Sequence, residues 1–363
     1  MNRAMKREVL LNPGPVTLSD GVRAALNRGD WCHREPEFAE LMQSINRRLA
    51  AVYTETVADY EAATLTGSGT SAVEGMVQSF APKDSKTLVV SNGVYGERIA
   101  SMLAMQGKPH VCTGGDWLEA INMEQVVGLL EEHHDVTTVV SVQHETTTGR
   151  LNDLTPLGQL CKTRGLTLLL DSVSSFGAEA IDYDGWNVGA VAATANKCLH
   201  SVPALSFVLA RKALWQQPSQ AGSVYLNLHS YHQAQQASGF SPFTQSVQPA
   251  FALDVALDEL AAGGGWEARG AAYRARAGKI AAALEACGVK TLLPQADYSS
   301  VLWTWLLPEG WTYEALHDRL KAEGFVIYAG QGNLASSVFR IAHMGDIDGD
   351  IDRLCALLTE CFS

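Results

Sequence analysis

The sequence of 363 residues is poor in charge, above all in positive charge. Charged residues make up 18% of it, and 27 basic residues stand against 39 acidic ones, giving a formal net charge of −12. This balance argues against a general nucleic-acid binder and against a protein that adheres to anionic membrane surfaces. An anionic ligand would have to be held by specific arginines. No segment approaches the roughly 18 apolar residues of a membrane span, so we expect none.

Cysteine pairs and targeting segments are also lacking. The seven cysteines are scattered, odd in number and without a CxxC spacing. This favours reduced thiols in a cytosolic protein over a disulfide framework or a zinc site, so we expect no metal. The opening "MNRAMKREVLLNPGP" has too short an apolar run for a signal peptide. We therefore expect a cytoplasmic protein.

Apolar, β-rich runs alternate with helical patterns through the first two thirds of the chain. The predicted strands are 87–91, 137–142, 166–171, 189–195 and 204–210. Near-continuous apolar strands between helices are typical of a parallel sheet covered on both faces. In such sheets the ligand lies beyond the carboxyl ends of the strands. The later part of the chain predicts a smaller α/β unit, so we divide the sequence into an N-terminal arm (1–20), a large domain (21–250) and a small C-terminal domain (251–363).

Three groups in the first two thirds of the chain could carry chemistry. A "GSGT" turn (67–70) leads into a helix, where free backbone N–H groups and hydroxyls suit a phosphate, although an ordinary helix cap also fits. Asp171 ends a buried strand and is either an N-cap or the partner of a protonated ring nitrogen. Lys197 follows strand 189–195 in apolar surroundings, which lower the pKa of an amine and make it a nucleophile for a Schiff base. The alternative for Lys197 is a structural lysine paired with an acid.

Two further features complete the set. Tyr95 lies in a glycine-flanked turn after a strand, where its ring could stack on a cofactor or simply fill the core. Thr146, Thr147 and Thr148 follow another strand and supply hydroxyls, unless they are only turn residues. A phosphate cradle, a stacking ring, hydroxyls, an acid and an amine together indicate a site for pyridoxal 5'-phosphate.

The motifs also resemble a known family. They are "LLNPGPVTLS", "GSGTSAVE", "SNGVYGER", "HETTTGRLNDL", "DSVSSFGA", "ANKCLHSVP", "GFVIYAGQG" and "FRIAHMGDI". Together they cover nearly the whole chain and resemble the class V branch of the fold-type I pyridoxal-phosphate enzymes. Within that branch they are most similar to the 2-aminoethylphosphonate–pyruvate aminotransferases. The resemblance implies an α/β fold with a mainly parallel central sheet in a large domain, plus a smaller C-terminal α/β domain.

The resemblance assigns roles around the cofactor ring. Lys197 would form the Schiff base and move protons, and Asp171 would hold the ring nitrogen protonated. Val173 and Tyr95 would pack on opposite faces of the ring. Thr146 would lie close to the ring hydroxyl.

The resemblance also assigns the phosphate contacts, which fall on Ser68, Gly69 and Thr70, with Asn196 nearby. Thr244, in "SPFTQS", would reach the phosphate in a neighbouring subunit, which implies a homodimer with shared sites.

The substrate side would be formed by Arg340, Gly14 and Arg34. Arg340 would grip the anionic group, since its fork suits a carboxylate or phosphonate. The alternative for Arg340 is an edge-strand salt bridge.

Three stretches depart from the branch that fits best: "HREPEF" (33–38), the region around Thr244, and His144, where a small residue is usual. We expect these positions near the substrate end of the pocket, so they bear on substrate and reaction type. The implied reaction is transamination of 2-aminoethylphosphonate with pyruvate, giving phosphonoacetaldehyde and alanine. The alternatives are an ammonia-lyase acting on 1-hydroxy-2-aminoethylphosphonate, an alanine– or serine–glyoxylate or –pyruvate aminotransferase, and a non-enzymatic binding module of the same fold.

Overall fold

A computed structural model describes residues 7–363. The first six residues of the predicted arm therefore lie outside the described part of the chain. The strands are β1 (Val9–Leu10), β2 (Tyr60–Gly67), β3 (Lys86–Val90), β4 (His110–Cys112), β5 (Val136–Val142), β6 (His144–Glu145), β7 (Arg150–Leu151), β8 (Thr167–Asp171), β9 (Val188–Thr194), β10 (Ala204–Arg211), β11 (Leu302–Leu306), β12 (Phe325–Val326), β13 (Tyr328–Ala329) and β14 (Val338–Ala342). The helices are α1 (Asp20–Ala25), α2 (Pro36–Ala50), α3 (Gly69–Phe80), α4 (Val94–Met105), α5 (Met123–Glu132), α6 (Thr155–Arg164), α7 (Lys212–Trp215), α8 (Leu228–Ser238), α9 (Val247–Ala262), α10 (Gly265–Ala286), α11 (Tyr313–Ala322) and α12 (Ile351–Phe362).

A seven-stranded sheet in the order β2-β10-β9-β8-β5-β3-β4 forms the centre of the large domain. All five predicted strands are in it, and the mainly parallel α/β fold is confirmed. One strand, β10, runs antiparallel to both of its neighbours, β2 and β9. The apolar run of β10 gave no sign of this, because a strand that is buried on both faces reads the same in either direction. The pattern did not single out β2 or the three-residue β4.

Helices cover both faces of this sheet. Along β8, Leu168 and Leu170 pack into the core on one face, while Leu169 packs into the core on the other. Successive strand residues point to opposite faces, so a strand covered on both sides must be apolar throughout. The face of Leu169 carries α3 and α4, and the opposite face carries α2 and α9. This burial on both faces leaves the loops at the sheet edges as the places for polar chemistry.

The small domain is built from both ends of the chain. Strands β11, β14 and β13 form a three-stranded antiparallel sheet, and β1 pairs in parallel with β12. Val9 and Leu11 therefore share a core with the C-terminal helix α12. Helix α9 runs across the expected boundary at 250/251, and its Phe251 and Leu257 are buried in the core of the large sheet. We propose that the boundary lies after α9, near Gly263–Gly265.

None of the helices in residues 7–363 combines the length and the apolar character that crossing a membrane requires.

Candidate active site

The candidate residues converge at one edge of the central sheet. Strands β2, β3, β5, β8 and β9 run in the same direction, so their carboxyl ends meet at that edge. Ser68 directly follows β2, and Tyr95 follows β3 on the first turn of α4. Asp171 ends β8, and Lys197 lies three residues beyond β9. The structure thus brings together groups that lie up to 129 positions apart in the chain.

Helix α3 presents its N-terminus to this edge. Ser68 and Thr70 are exposed there, and among the described residues no side chain caps the first turn of the helix. The alternative of a simple side-chain cap is therefore not what is observed. A Cβ atom on Gly69 would approach Val173 Cγ1 to 2.6 Å, so the glycine lets the helix start pack directly on Val173. Free N–H groups and the helix dipole make such an end suitable for a phosphate.

Asp171 lies at the floor of the site. Its Oδ1 accepts a hydrogen bond from the Val173 backbone N–H at 2.9 Å, while Oδ2 accepts none from residues 7–363. Burial raises the pKa of the Asp171 carboxyl to about 6, and the nearby Arg98 and Lys197 charges oppose that rise. Asp171 therefore caps the following segment with one oxygen and leaves the other for a cationic partner.

The Tyr95 ring and the Val173 side chain lie beside Asp171. Tyr95, Asp171 and Val173 line two adjoining small cavities, one of which also contacts Thr70 and the other Lys197. The guanidinium of Arg98 lies over the Tyr95 ring, 4.7 Å from its centroid. Arg98 was not singled out from the sequence, although it lies one helical turn after Tyr95 and so faces the same side.

Lys197 is covered by the N-terminal arm. Its Nζ donates a hydrogen bond to the Pro13 carbonyl oxygen. Gly14 adopts φ +116°, and a Cβ there would approach Lys197 Nζ to 2.9 Å. The side chain as a whole keeps some exposure, but its ammonium group is enclosed, and that burial lowers the pKa of Lys197 to about 8. No ion pair with an acid involves Lys197 within the described residues, which sets it apart from an ordinary structural lysine.

The residues of the "ETTTG" segment (145–149) differ in whether they line the cavity. Glu145 is buried and accepts hydrogen bonds from the Thr147 hydroxyl at 2.6 Å and from the Tyr95 backbone N–H at 3.3 Å. Burial raises the pKa of Glu145 to about 7. Of the three threonine hydroxyls we expected in the site, that of Thr147 is used to hold Glu145, and Thr148 does not line the cavity. Thr146 does, together with Lys197.

Arg340 links the small domain to this cavity. It is fully buried on β14, the middle strand of its sheet, so the edge-strand salt bridge considered above is absent from the described residues. Its Nε donates to the Ala329 carbonyl and its Nη1 to the Thr146 carbonyl, each at 2.7 Å. Its Nη2 is buried and has no partner in residues 7–363. One guanidinium nitrogen therefore remains free for an anion.

Three predicted residues lie elsewhere or at the margin. Arg34 is exposed and donates to the carbonyls of Ser241 and Pro242, so the single chain does not bring it to Lys197. Thr244, three residues after Ser241, is also exposed. Asn196 is adjacent to Lys197 and accepts a hydrogen bond from the Thr194 hydroxyl at 2.9 Å.

These features define a class. The family profile described as aminotransferase class-V matches residues 27–331, and the chain belongs to that family. Class V aminotransferases use pyridoxal 5'-phosphate. The residues present fit this group: an enclosed amine at Lys197, an Asp171 oxygen that has no partner among the described residues, and a helix start at Gly69 that packs on Val173.

Particular relatives narrow the comparison. The chain is 32% identical over 356 residues to a 2-aminoethylphosphonate–pyruvate transaminase of Bacillus cytotoxicus, covering 97% of each protein. It is 34% identical over 356 residues to a bifunctional phosphonoacetaldehyde hydrolase/aminoethylphosphonate transaminase of Clostridioides difficile, covering 96% of this chain and 56% of that protein. The fold is similar to the crystal structure of an alanine–glyoxylate aminotransferase from Nostoc sp., with a TM-score of 0.90, 24% identity, and coverage of 100% of this chain and 97% of that one.

Proposed function

We propose that this protein transfers the amino group of 2-aminoethylphosphonate to pyruvate, giving phosphonoacetaldehyde and alanine. The observation that carries the proposal is the pairing of an enclosed amine, Lys197, with a buried arginine, Arg340, that has one unpartnered nitrogen. The two residues are linked through Thr146, which lines the cavity with Lys197 and accepts a hydrogen bond from Arg340 Nη1 through its carbonyl oxygen. The full-length similarity to transaminases of this substrate supports the choice of a phosphonate.

Pyridoxal phosphate supplies an electron sink that makes loss of a proton from the carbon next to the amine feasible. Its phosphate would be bound by the N-terminal end of α3, through Ser68, Gly69 and Thr70, with Asn196 nearby. Its ring would lie between Tyr95 and Val173, whose side chains line the same cavities. These contacts would hold and orient the group and would exclude water from both faces of its ring.

Lys197 and Asp171 would carry the chemistry of the site. With a pKa of about 8, the Lys197 amine is in part neutral near pH 7.5 and can act as nucleophile and base at Nζ. Lys197 Nζ accepts the proton released from the substrate carbon that bears the nitrogen. The free oxygen of Asp171 holds a proton on the cofactor's ring nitrogen, since a cation there offsets the burial of the carboxylate.

Arg340 would bind the phosphonate of the amine and, in the second half of the reaction, the carboxylate of pyruvate. Its Nε and Nη1 are fixed by two carbonyl oxygens, so Nη2 is held in place before the substrate arrives. Gly14 makes room for the Lys197 side chain, because a Cβ there would approach Lys197 Nζ to 2.9 Å, and we assign it to the substrate side for its contact with this amine. We assign Arg34 to the substrate side only through a second subunit.

The last part of the proposal concerns assembly and location. We propose a cytoplasmic homodimer in which Thr244 contacts the phosphate held by the partner subunit. In the single chain Thr244 is exposed, as a residue that acts on a neighbour must be.

An amine panel tests the proposal. The protein loaded with pyridoxal phosphate is given 2-aminoethylphosphonate, 1-hydroxy-2-aminoethylphosphonate, alanine or serine, each with and without pyruvate or glyoxylate, and alanine and ammonia are measured. We expect alanine from 2-aminoethylphosphonate only when pyruvate is present, without ammonia. Release of ammonia from 1-hydroxy-2-aminoethylphosphonate in the absence of a keto acid would instead establish the lyase. Turnover of serine or alanine with glyoxylate, and of no phosphonate, would establish an ordinary amino-acid transaminase. A protein that takes up no visible chromophore would refute every enzymatic version.

A further inference from the structure

Within the described part of the chain, His144 is a buried side chain whose ring nitrogens form no hydrogen bonds. It is 1% exposed, and neither Nδ1 nor Nε2 has a partner in residues 7–363. The backbone of Ser174 approaches the ring without completing a hydrogen bond of normal geometry. A buried polar group that has no hydrogen-bond partner destabilises the folded state. Such a ring therefore marks a place where a further group is expected.

The ring of His144 faces the cavity of the candidate active site. His144 and Thr146 line it together with Lys197 and Asp171. His144 lies in β6 and Thr146 in the turn that follows this strand, so the two residues reach the same wall from adjoining elements. We expected His144 near the substrate end of the pocket, but its cavity neighbours are the residues assigned to the cofactor.

The chemistry of pyridoxal phosphate orients the ring in this cavity. The ring nitrogen and the carbon that joins Lys197 are at opposite ends of the ring, so Asp171 and Lys197 fix its long axis. The phosphate arm and the ring hydroxyl are on opposite edges. Thr70 and the start of α3 lie along one cavity, whereas His144 and Thr146 lie along the other. The edge that faces His144 is therefore the one that carries the hydroxyl.

His144 can offer this edge a hydrogen bond but no charge. Burial lowers the pKa of His144 to about 3, and the nearby Lys197, His343 and Arg340 also lower it. The ring is therefore neutral at ordinary pH and has one N–H group and one lone pair. A neutral ring is a poor anchor for an anionic substrate, a task for which Arg340 has a free donor.

We infer that His144 donates a hydrogen bond to the ring-hydroxyl oxygen of bound pyridoxal phosphate and so tunes the proton affinity of the nitrogen that Lys197 contributes to the cofactor link. This rests on the proposed function, because it needs the same cofactor in the same cavity. The ionised hydroxyl oxygen shares a proton with that nitrogen. A donor from His144 draws electron density from the oxygen, so the nitrogen holds its proton less tightly. His144 is in this sense a positioning and tuning residue.

The test is a pH titration of the visible absorption band of the loaded protein without substrate. In the His144→Leu variant we expect the midpoint of the titration to rise by about one pH unit, roughly a tenfold gain in proton affinity. The cofactor should also dissociate more readily. In His144→Asn, which keeps an N–H donor, the midpoint should return toward that of the unmodified protein.

A matched control is His229→Leu. Both nitrogens of His229 are likewise buried without a partner in the described chain, but this ring packs against Phe80 and Trp215 and does not line the cavity. Its titration midpoint should stay unchanged. If His144→Leu does not fold, ¹⁵N spectra of the histidine rings in the unmodified protein take its place. We then expect the His144 resonance to move when pyridoxal phosphate is added, and to move much less with an analogue that lacks the ring hydroxyl.

An unchanged or lowered midpoint in His144→Leu, or an equal response of the resonance to both cofactors, would overturn the inference. Because the titrated band belongs to the bound cofactor, these outcomes leave the proposed function standing. An unmodified protein that gains no visible band would overturn both.

Discussion

Among residues 7–363, two lysines have a pKa that burial lowers to about 8, and one of the two, Lys197, faces the cavity. Lys108 donates to the carbonyls of Gln78 and Ala81 at the end of α3, whereas Lys197 meets the Pro13 carbonyl beside the candidate cofactor site. We expect borohydride reduction of the loaded protein to attach the cofactor to Lys197 and to leave Lys108 unmodified in the same digest. Peptide mass spectrometry measures both sites at once. Label on Lys108, or none on Lys197, would contradict the assignment.

Asp171 should destabilise the protein when the cofactor is absent. Burial raises its pKa from 3.8 to about 6, so between these values the folded state binds more protons than the unfolded state. Stability of the apoprotein is then lost as the pH rises through this window. At pH 7.5 we expect apo Asp171→Asn to be more stable than the unmodified apoprotein by about 1–3 kcal/mol in urea unfolding, although it binds the cofactor worse.

Asp153→Asn is the matched control for Asp171. Asp153 Oδ1 accepts from the backbone N–H two residues on at 3.0 Å, the same local bond as in Asp171, but Asp153 is exposed. Its replacement should leave both stability and cofactor binding nearly unchanged. If the Asp171→Asn apoprotein is instead less stable than the unmodified apoprotein, the protein itself stabilises the Asp171 carboxylate without the cofactor.

Replacing Arg340 should separate substrate binding from cofactor binding. In Arg340→Lys the fork is lost, and with it the fixed Nη2 donor, so we expect KM for both 2-aminoethylphosphonate and pyruvate to rise about 10- to 100-fold. The visible spectrum of the loaded protein should remain. Arg319→Lys, at an exposed ion pair with Glu360, serves as the control in steady-state kinetics. Unchanged KM values in Arg340→Lys would exclude Arg340 as the anion site.

At the scale of elements, α3 is the piece whose exact placement matters. A Cβ in Gly69→Ala would lie 2.6 Å from Val173 Cγ1, so either the helix start or Val173 must shift. We expect the Kd of pyridoxal phosphate, measured by fluorescence titration, to rise about tenfold or more, since overpacking costs about 1–3 kcal/mol. Gly128→Ala in α5 meets nothing within 4 Å and should leave the Kd unchanged. If the unmodified protein, Gly69→Ala and Gly128→Ala bind pyridoxal phosphate with the same Kd, α3 does not form the phosphate site.

The sequence predicts the elements better than their arrangement. The five strands, and the groups at their carboxyl ends, follow from apolar runs and from polar residues placed just after them. The antiparallel direction of β10 does not, because direction depends on the connection and leaves no mark on a fully buried strand. A local sequence pattern also cannot predict the contacts of the site, because the partners are far apart in the chain. Lys197 donates to the carbonyl of Pro13, 184 positions away, and Arg340 to that of Thr146, 194 positions away.

At the scale of the whole molecule, the proposed dimer can be tested through Thr244. Thr244→Val should leave the sedimentation coefficient of the loaded protein unchanged but weaken cofactor binding several-fold, because a hydroxyl from the partner would be lost. Thr312→Val, at the N-cap of α11 in the small domain, is a control that removes a hydroxyl far from the large sheet. A monomer in sedimentation velocity would contradict the shared site.

The pairing of β1 with β12 sets an order of events during synthesis. Val9 is synthesised more than 300 residues before its partner Phe325. At about 5–20 residues per second, the first strand waits on the order of 15–60 s for its neighbour. The large sheet can be complete by then, with its lysine still uncovered. The arm that carries Pro13 and Gly14 is thus held in place only after the large sheet has been made, so the nascent chain has an interval in which the cofactor can reach Lys197 without displacing the arm.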